Sequence, residues 1–296
     1  MYILPNNQHY QVIFREGAST RLYQSIDEKL GYRLITHIKY LANMNVGENR
    51  RIQLGGLNYT YEQQLFRLRI STVGDYQKRE SMVVRILHDF QARELHFLLA
   101  EQQQQSIQLI QERGLYLFCG PVGSGKTTLM HYLVSKKFKG QQIISIEDPV
   151  EIENTEILQL QINEAIGLDY ESLIKLSLRH RPDLLMIGEI RDLKTAKAVF
   201  QAALAGHTVF SSIHAKSPAS ILSRLIELGI PKSDIEHALK GTIYQRLLAS
   251  KNEIGLCLQI DSNIIVSNQQ WNQNLEKLVK MGVINASQTQ KEYFKC

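Results

Sequence analysis

Cysteine, proline and tryptophan are all scarce in this chain: three, six and one among 296 residues. The cysteines, Cys119, Cys257 and Cys296, are scattered and odd in number, with no Cys-x-x-Cys pair. That excludes a disulfide scaffold and a four-cysteine zinc site, and fits a reducing compartment. No apolar run reaches the roughly 18 residues that mark a membrane-spanning helix, and no signal peptide opens the chain. A membrane role is therefore expected to come through a partner. Charge of one sign is not strongly in excess: 34 Lys and Arg stand against 29 Asp and Glu, net +5. Such a balance is compatible with nucleic acid or an anionic surface and requires neither. Basic residues are not interleaved with aromatics, so no direct nucleic-acid contact is expected. The length has room for two domains and a core that needs no staple.

What is present begins at residues 120–128: Gly120, Pro121, Val122, Gly123, Ser124, Gly125, Lys126, Thr127 and Thr128. They fit G-x-x-x-x-G-K-[ST], the phosphate-cradling loop of nucleotide hydrolases. Residues 115–119 form an apolar run that fits a buried strand, and 127–134 continue as a helix. The glycines let backbone N–H groups approach phosphate oxygens, at a helix N-terminus that favours anions. Lys126 is expected to reach the β- and γ-phosphates of ATP, and the Thr127 hydroxyl to ligate Mg²⁺. The other reading, a chance match in a glycine-rich turn, lacks this strand-loop-helix context.

Two further apolar runs end in acid. Residues 184–187 lead into Gly188 and Glu189, and 143–146 lead into Glu147, Asp148, Pro149, Val150 and Glu151. Ligands of α/β folds sit at the carboxyl ends of buried strands. Glu189 can there polarise the attacking water, directly or through Mg²⁺. It can equally cap the next helix or pair with Arg191. Glu147, Asp148 and Glu151 form either a metal-facing cluster or a solvated turn.

A helix over 196–205 and a strand over 208–213 are expected next, with His207 and His214 flanking that strand. Composition alone makes both histidines structural, since no third ligand completes a metal site. Arg69 and Arg85 each stand inside a β-like alternation, where an arginine ordinarily faces solvent.

The four blocks in this order resemble the secretion-superfamily ATPases of type II secretion and type IV pilus assembly, in which they are the Walker A, Asp box, Walker B and His box. Residues 241–247, Gly-Thr-Ile-Tyr-Gln-Arg-Leu, resemble a further segment of that family. Residues 178–183 and 211–216 are most similar to its competence branch in Gram-positive bacteria, whose members assemble a pilus that takes up DNA. The absence of Cys-x-x-Cys pairs departs from the zinc insert common in type II secretion members. By this resemblance Arg69 and Arg85 match two N-terminal-domain arginines that close over the nucleotide, and Glu189 matches the Walker B glutamate. Glu147, Asp148 and Glu151 match the Asp box, while His207 and His214 match a His box that couples nucleotide state to domain position. The resemblance further implies a cytoplasmic homohexamer, peripherally associated with the inner face of the cell membrane. Its partners would be a polytopic membrane platform protein and, through it, pilin-like subunits. Retraction and conjugation-type motors share the boxes, and a non-hydrolysing scaffold is the alternative of another class.

The expected fold class is α/β. A small α+β domain, PAS-like by resemblance, is expected at 1–90, with a helix at 32–44, a hairpin turn at Gly55-Gly56 and a strand over 60–71. A linker helix follows at 91–113, then a RecA-like P-loop domain at 114–296. After residue 216 the chain is expected to be helical, at 219–228 and 232–248. Trp271, Leu275, Leu278 and Val279 share one face of a terminal helix, most simply a core face. By the resemblance, helices and an acidic motif come ahead of residues 2–5, so the first domain is expected to be short, either as a clipped form, which would leave an unpaired sheet edge, or as a genuine short form.

Overall fold

The computed structural model describes residues 1–16, 19–87, 95–250, 253–262 and 266–295. The chain forms two compact units, Met1–Asp89 and Phe90–Cys296. The expected boundary at residue 90, the start of the linker helix and Cys296 lie outside the described residues.

In the first unit, β1 (Tyr2–Asn6), β2 (His9–Glu16), β3 (Ser19–Asp27), α1 (Glu28–Leu41), β4 (Gln53–Tyr61), β5 (Gln64–Gly74) and β6 (Glu80–Leu87) follow in order. The strands make one antiparallel sheet, β3-β2-β1-β6-β5-β4. Ile3, Tyr10, Val12, Ile70, Met82 and Val84 supply its buried face, packed with Ile35 of α1. The helix starts earlier than residue 32 because the Asp27 carboxylate accepts from the Leu30 N–H, a side-chain cap. β1 is paired on both sides, by β2 and β6, so the sheet edges are β3 and β4.

The expected turn at Gly55-Gly56 is corrected. Both glycines lie inside β4, and the hairpin turns instead at Glu62-Gln63, each with positive φ. Paired left-handed residues suit a two-residue hairpin because their twist matches that of the strands. Gly55 is small for a different reason: a Cβ there would press on the Met44 side chain. A buried ion pair, Lys39 with Glu80 at 2.7 Å, ties α1 to β6; Lys39 is 1% exposed and also donates to the Glu48 carbonyl.

The second unit runs α2 (Glu101–Leu109), β7 (Leu115–Cys119), α3 (Lys126–Lys137), β8 (Ile143–Glu147), β9 (Leu158–Gln161), α4 (Tyr170–Arg179), β10 (Leu184–Ile187), α5 (Leu193–Leu204), β11 (Val209–Ile213), α6 (Ser220–Glu227), α7 (Lys232–Ala238), β12 (Leu239–Ala249), β13 (Ile254–Asp261), α8 (Gln269–Lys280) and α9 (Ala286–Thr289). Its sheet has the order β13-β12-β7-β11-β10-β8-β9. All neighbours are parallel except β12 with β13. The strands β7, β8, β10 and β11 are buried at every position. Covered on both faces, they read as unbroken apolar runs, the sign by which the sequence showed them.

Two expected elements change. The helix expected over 232–248 stops at Ala238, and residues 239–249 form β12, a strand central enough to pair β7 and β13. Burial on both faces hides a period of two, while Thr242, Ile243 and Tyr244 favour a pleated strand. The linker helix is shorter than 91–113: Phe97 bridges β13 at Leu256, and the helix spans Glu101–Leu109. Gln102 of that helix lies along β13, accepting from the Leu258 N–H at 2.9 Å and donating to the Leu258 carbonyl at 2.6 Å. On α8, Trp271, Leu275 and Leu278 are fully buried, as a core face requires. Among the described residues no helix is long and apolar enough to cross a membrane.

His131 on α3 is wholly buried, and burial pushes its pKa down to about 4. An unfolded histidine takes its proton near pH 6.5. Stability from this site is thus fully present above pH 6.5 and is lost as pH falls toward 4, by about 2 kcal/mol at pH 5. Urea unfolding at pH 7.5 and pH 5 is expected to show that loss, reduced in His131→Phe; the same loss in the variant would assign it elsewhere.

Candidate functional site

The carboxyl ends of β7, β8, β10 and β11 lie side by side, and each delivers one block of the sequence to the same edge of the sheet. After β7 the chain turns through the phosphate loop into α3. Gly125 holds the N-cap position at φ 84, a left-handed conformation that favours glycine, and no side chain caps the helix. The first amides of α3 are therefore left for a ligand, at the positive end of the helix. A Cβ on Gly120 would collide with the Gln245 carbonyl oxygen of β12. From the same residue, Gln245 Nε2 donates to the Ser124 carbonyl at 2.7 Å. The loop is thus fastened from behind by a fully buried glutamine.

Lys126 is 8% exposed and folds back on its own loop, its ammonium donating to the carbonyls of Gly120 at 3.1 Å and Pro121 at 2.9 Å. Burial holds its pKa below the ordinary lysine value, against the opposing pull of nearby negative groups that include Glu189 and Glu151. The ammonium also lies 3.5 Å from His214 Nδ1, and His214 Nε2 lies 3.1 Å from Glu189 Oε2. With the imidazole proton assigned to Nε2, one chain of donors runs from Lys126 through His214 to the Glu189 carboxylate.

Glu189 follows the end of β10. Its other oxygen accepts from Arg191, whose guanidinium also reaches Asp148 at 3.4 Å. Burial works to raise the Glu189 carboxyl, but Arg191, His214 and Lys126 outweigh it and hold the pKa below the usual glutamate value. The pairing with Arg191 and the position at the strand end, alternatives in the sequence, are both present. Ser212 pins the turn by donating to the Gly188 carbonyl at 2.7 Å.

The acidic cluster divides. Glu147 is buried, accepting from Ser145 Oγ at 2.8 Å and Gln159 Nε2 at 3.2 Å, and burial raises its pKa. It anchors β8 to β9. Asp148 turns to Arg191, and Glu151 is exposed. Tyr170, opening α4, brings its hydroxyl against Gly188; burial and the charges of Asp148, Glu189 and Glu147 push that phenol up. No motif announced Tyr170. Gln245 falls in the segment 241–247 that resembles the family, but nothing in that segment ties it to the phosphate loop, and the stretch reads as helix.

The histidines part company. His214 follows the carboxyl end of β11, whereas His207 lies two residues before its first residue, Val209, which pairs Leu115 of β7 and Leu185 of β10. Seven residues of extended chain separate them by about 20 Å, so His207 is not brought to Lys126 within this unit. Arg69 and Arg85 belong to the first unit, as direct cross-strand partners on β5 and β6. Two guanidiniums opposed on one face repel each other, and an anion relieves that repulsion.

Among the described residues no group of three His, Cys, Asp or Glu side chains could hold a metal alone. The oxygen donors present, the Thr127 hydroxyl and the Glu189 and Asp148 carboxylates, suit Mg²⁺, which is commonly bound through one or two carboxylates together with substrate phosphates.

The family model described as Type II/IV secretion system protein matches residues 1–290. Competence protein ComGA of Streptococcus pneumoniae is 49% identical over 294 residues, covering 99% of this chain and 92% of that protein. Competence protein ComGA of Bacillus subtilis is 33% identical over 253 residues, covering 84% and 71%. Among solved structures, the pilus retraction motor PilT with bound ADP superposes with a TM-score of 0.74 at 22% identity, covering 98% of this chain and 92% of that one. The Legionella pneumophila ATPase DotB gives 0.71 at 16% identity, covering 95% and 90%. At those identities the two structures establish the fold.

Proposed function

The chain belongs to the Type II/IV secretion system protein family, and from that premise we propose that it is a Mg²⁺-dependent ATPase powering assembly of a competence-type pilus for DNA uptake. The observation that carries the catalytic part is the meeting of Lys126, His214 and Glu189 in front of an uncapped, glycine-led helix N-terminus. The pilus part rests on the similarity to the two competence proteins.

In this reading the second unit is a RecA-like motor domain and the first is PAS-like. The loop amides and Lys126 bind the phosphates of ATP. Thr127, with Glu189 and Asp148, would hold Mg²⁺, which would neutralise charge on the β- and γ-phosphates. To use Lys126 on a phosphate, the ammonium must leave the Gly120 and Pro121 carbonyls, and that departure frees His214. Glu189, ionised at neutral pH, then orients and activates the water. Arg69 and Arg85 supply positive charge to the phosphates from the first unit, which suits their cross-strand opposition. Glu147 acts from behind by fixing the turn that carries Asp148 and Glu151, and His207 serves away from the phosphates. The working assembly is a homohexamer in the cytoplasm, held at the inner face of the membrane by a polytopic platform protein that passes the motion to pilin-like subunits.

The test is steady-state ATP hydrolysis by the purified chain. Turnover is expected to fall more than about 100-fold when Mg²⁺ is chelated and to return when it is restored. Absence of turnover with Mg²⁺, or turnover indifferent to chelation, would remove the reading.

A further inference from the structure

Three consecutive residues of β12 serve two masters. Gln245 faces the phosphate loop, as described above. Tyr244 and Arg246, on the opposite side by strand alternation, reach the chain just beyond His214. The Tyr244 hydroxyl donates to the Lys216 carbonyl at 3.0 Å, and Arg246 Nη2 reaches the same oxygen at 3.5 Å. Arg246 Nε in turn donates to the Tyr244 hydroxyl at 3.0 Å. Lys216 stands two residues after His214, past the end of β11, where no ladder holds the backbone.

Behind this pair lies the C-terminal segment. Arg246 forms an ion pair with Glu292 and lies 5.4 Å from the Phe294 ring centre. The Tyr244 ring meets Trp271 edge-on at 5.1 Å and Phe294 at 5.9 Å. Trp271 Nε1 donates to the Glu292 carbonyl at 2.9 Å, and Asn272 bonds both the N–H and the carbonyl of Phe294. None of these groups touches Lys126 or the loop, yet their shared endpoint is a single carbonyl beside the histidine that spans Lys126 and Glu189.

From this arrangement we infer that Tyr244 and Arg246 are positioning residues for ATP hydrolysis, acting through the Lys216 carbonyl to hold His214, with residues 292–294 fixing them from behind. The inference rests on the ATPase reading of the site. Its physical basis is the exposure of the imidazole. His214 is anchored by β11 on one side only, and its 3.1 Å contact with Glu189, the one that remains once the Lys126 ammonium has left, is lost by a shift of about 1 Å. On the other side the first anchor is the Lys216 carbonyl, ahead of the turn in which Ser217 bonds Ser220.

Tyr244→Phe removes the hydroxyl and keeps the ring in its aromatic cluster. The expected result is a kcat about tenfold lower with the KM for ATP within about twofold of wild type, because the phosphate-binding groups lie across the strand. Hydrogen exchange of the same variant is expected to rise over residues 214–218 and to stay unchanged over 120–128. Glu292→Gln, which loosens Arg246 from outside, is expected to give the same pattern more weakly, and carries the test if the tyrosine variant fails to fold. An unchanged kcat, a KM that rises as kcat falls, or exchange rising equally in both segments overturns the inference and leaves the ATPase reading standing. A wild-type chain without turnover overturns both.

Discussion

Lys126→Ala is expected to abolish ATP turnover, by about 1,000-fold or more, while the chain melts within a few degrees of wild type. The two halves of that expectation have separate causes. A lysine that meets the β- and γ-phosphates stabilises charge building in the transition state, and loss of one such preorganised group is worth about 3–4 kcal/mol or more. Stability is spared because the ammonium is costly to bury. Its partners are two loop carbonyls and an imidazole, with no carboxylate in direct contact, and burial already depresses its pKa. Removing it leaves the loop still fastened by Gln245. Thermal melting followed by circular dichroism, with phosphate release measured on the same preparation, checks both halves. Undiminished turnover would mean that residues 120–128 are not the phosphate site.

Glu189→Gln is expected to lower kcat by about 100-fold or more and to leave ATP affinity nearly unchanged. The amide keeps the shape of the side chain and its oxygen can still accept from Arg191, while the NH2 that replaces the other oxygen cannot accept from His214 Nε2. What disappears is the ability to take a proton from water. Arg191, His214 and Lys126 together hold the wild-type carboxyl below its usual pKa, so it is ionised throughout the neutral range. The variant removes a group that was already in its basic form. Equilibrium binding of a fluorescent ATP analogue, compared with single-turnover hydrolysis, separates the two effects. A variant that binds weakly and hydrolyses normally would confine Glu189 to holding the cation and remove it as the group that activates water.

These two residues were legible because their chemistry imposes a local pattern. A phosphate loop needs glycines and a lysine at fixed spacing, and a strand-end acid needs an apolar run in front of it. The same runs disclosed β7, β8, β10 and β11. Contacts that join distant parts of the chain have no local pattern. Gln245 reaches the loop across 121 residues of sequence, Tyr170 meets Gly188 from the start of a helix, and Lys39 finds Glu80 across 41 residues. Only the fold brings each pair together. Gly55-Gly56 carries a stronger turn signal than Glu62-Gln63, where the hairpin turns, yet both glycines lie in a strand and Gly55 answers to close packing against Met44. A doubly buried strand shows neither period, so the letters of β12 fit a helix as well as a strand. His207 and His214 look equivalent as letters; the direction of the strand between them sends them to opposite edges of the sheet.

Gln102 has a consequence for how copies of this chain can meet. Its amide offers β13 the acceptor and donor that another strand would offer, and Asn274 adds a second donor to the same carbonyl. A sheet closed off by a side chain cannot be lengthened there by a neighbour's backbone. At the far side the sheet finishes in β9, four residues long, a poor template for a further strand. Copies of this chain that meet at this sheet would therefore do so through side-chain surfaces, which can slide and re-form, and would be spared backbone ladders there, which lock neighbours together and grow into fibres.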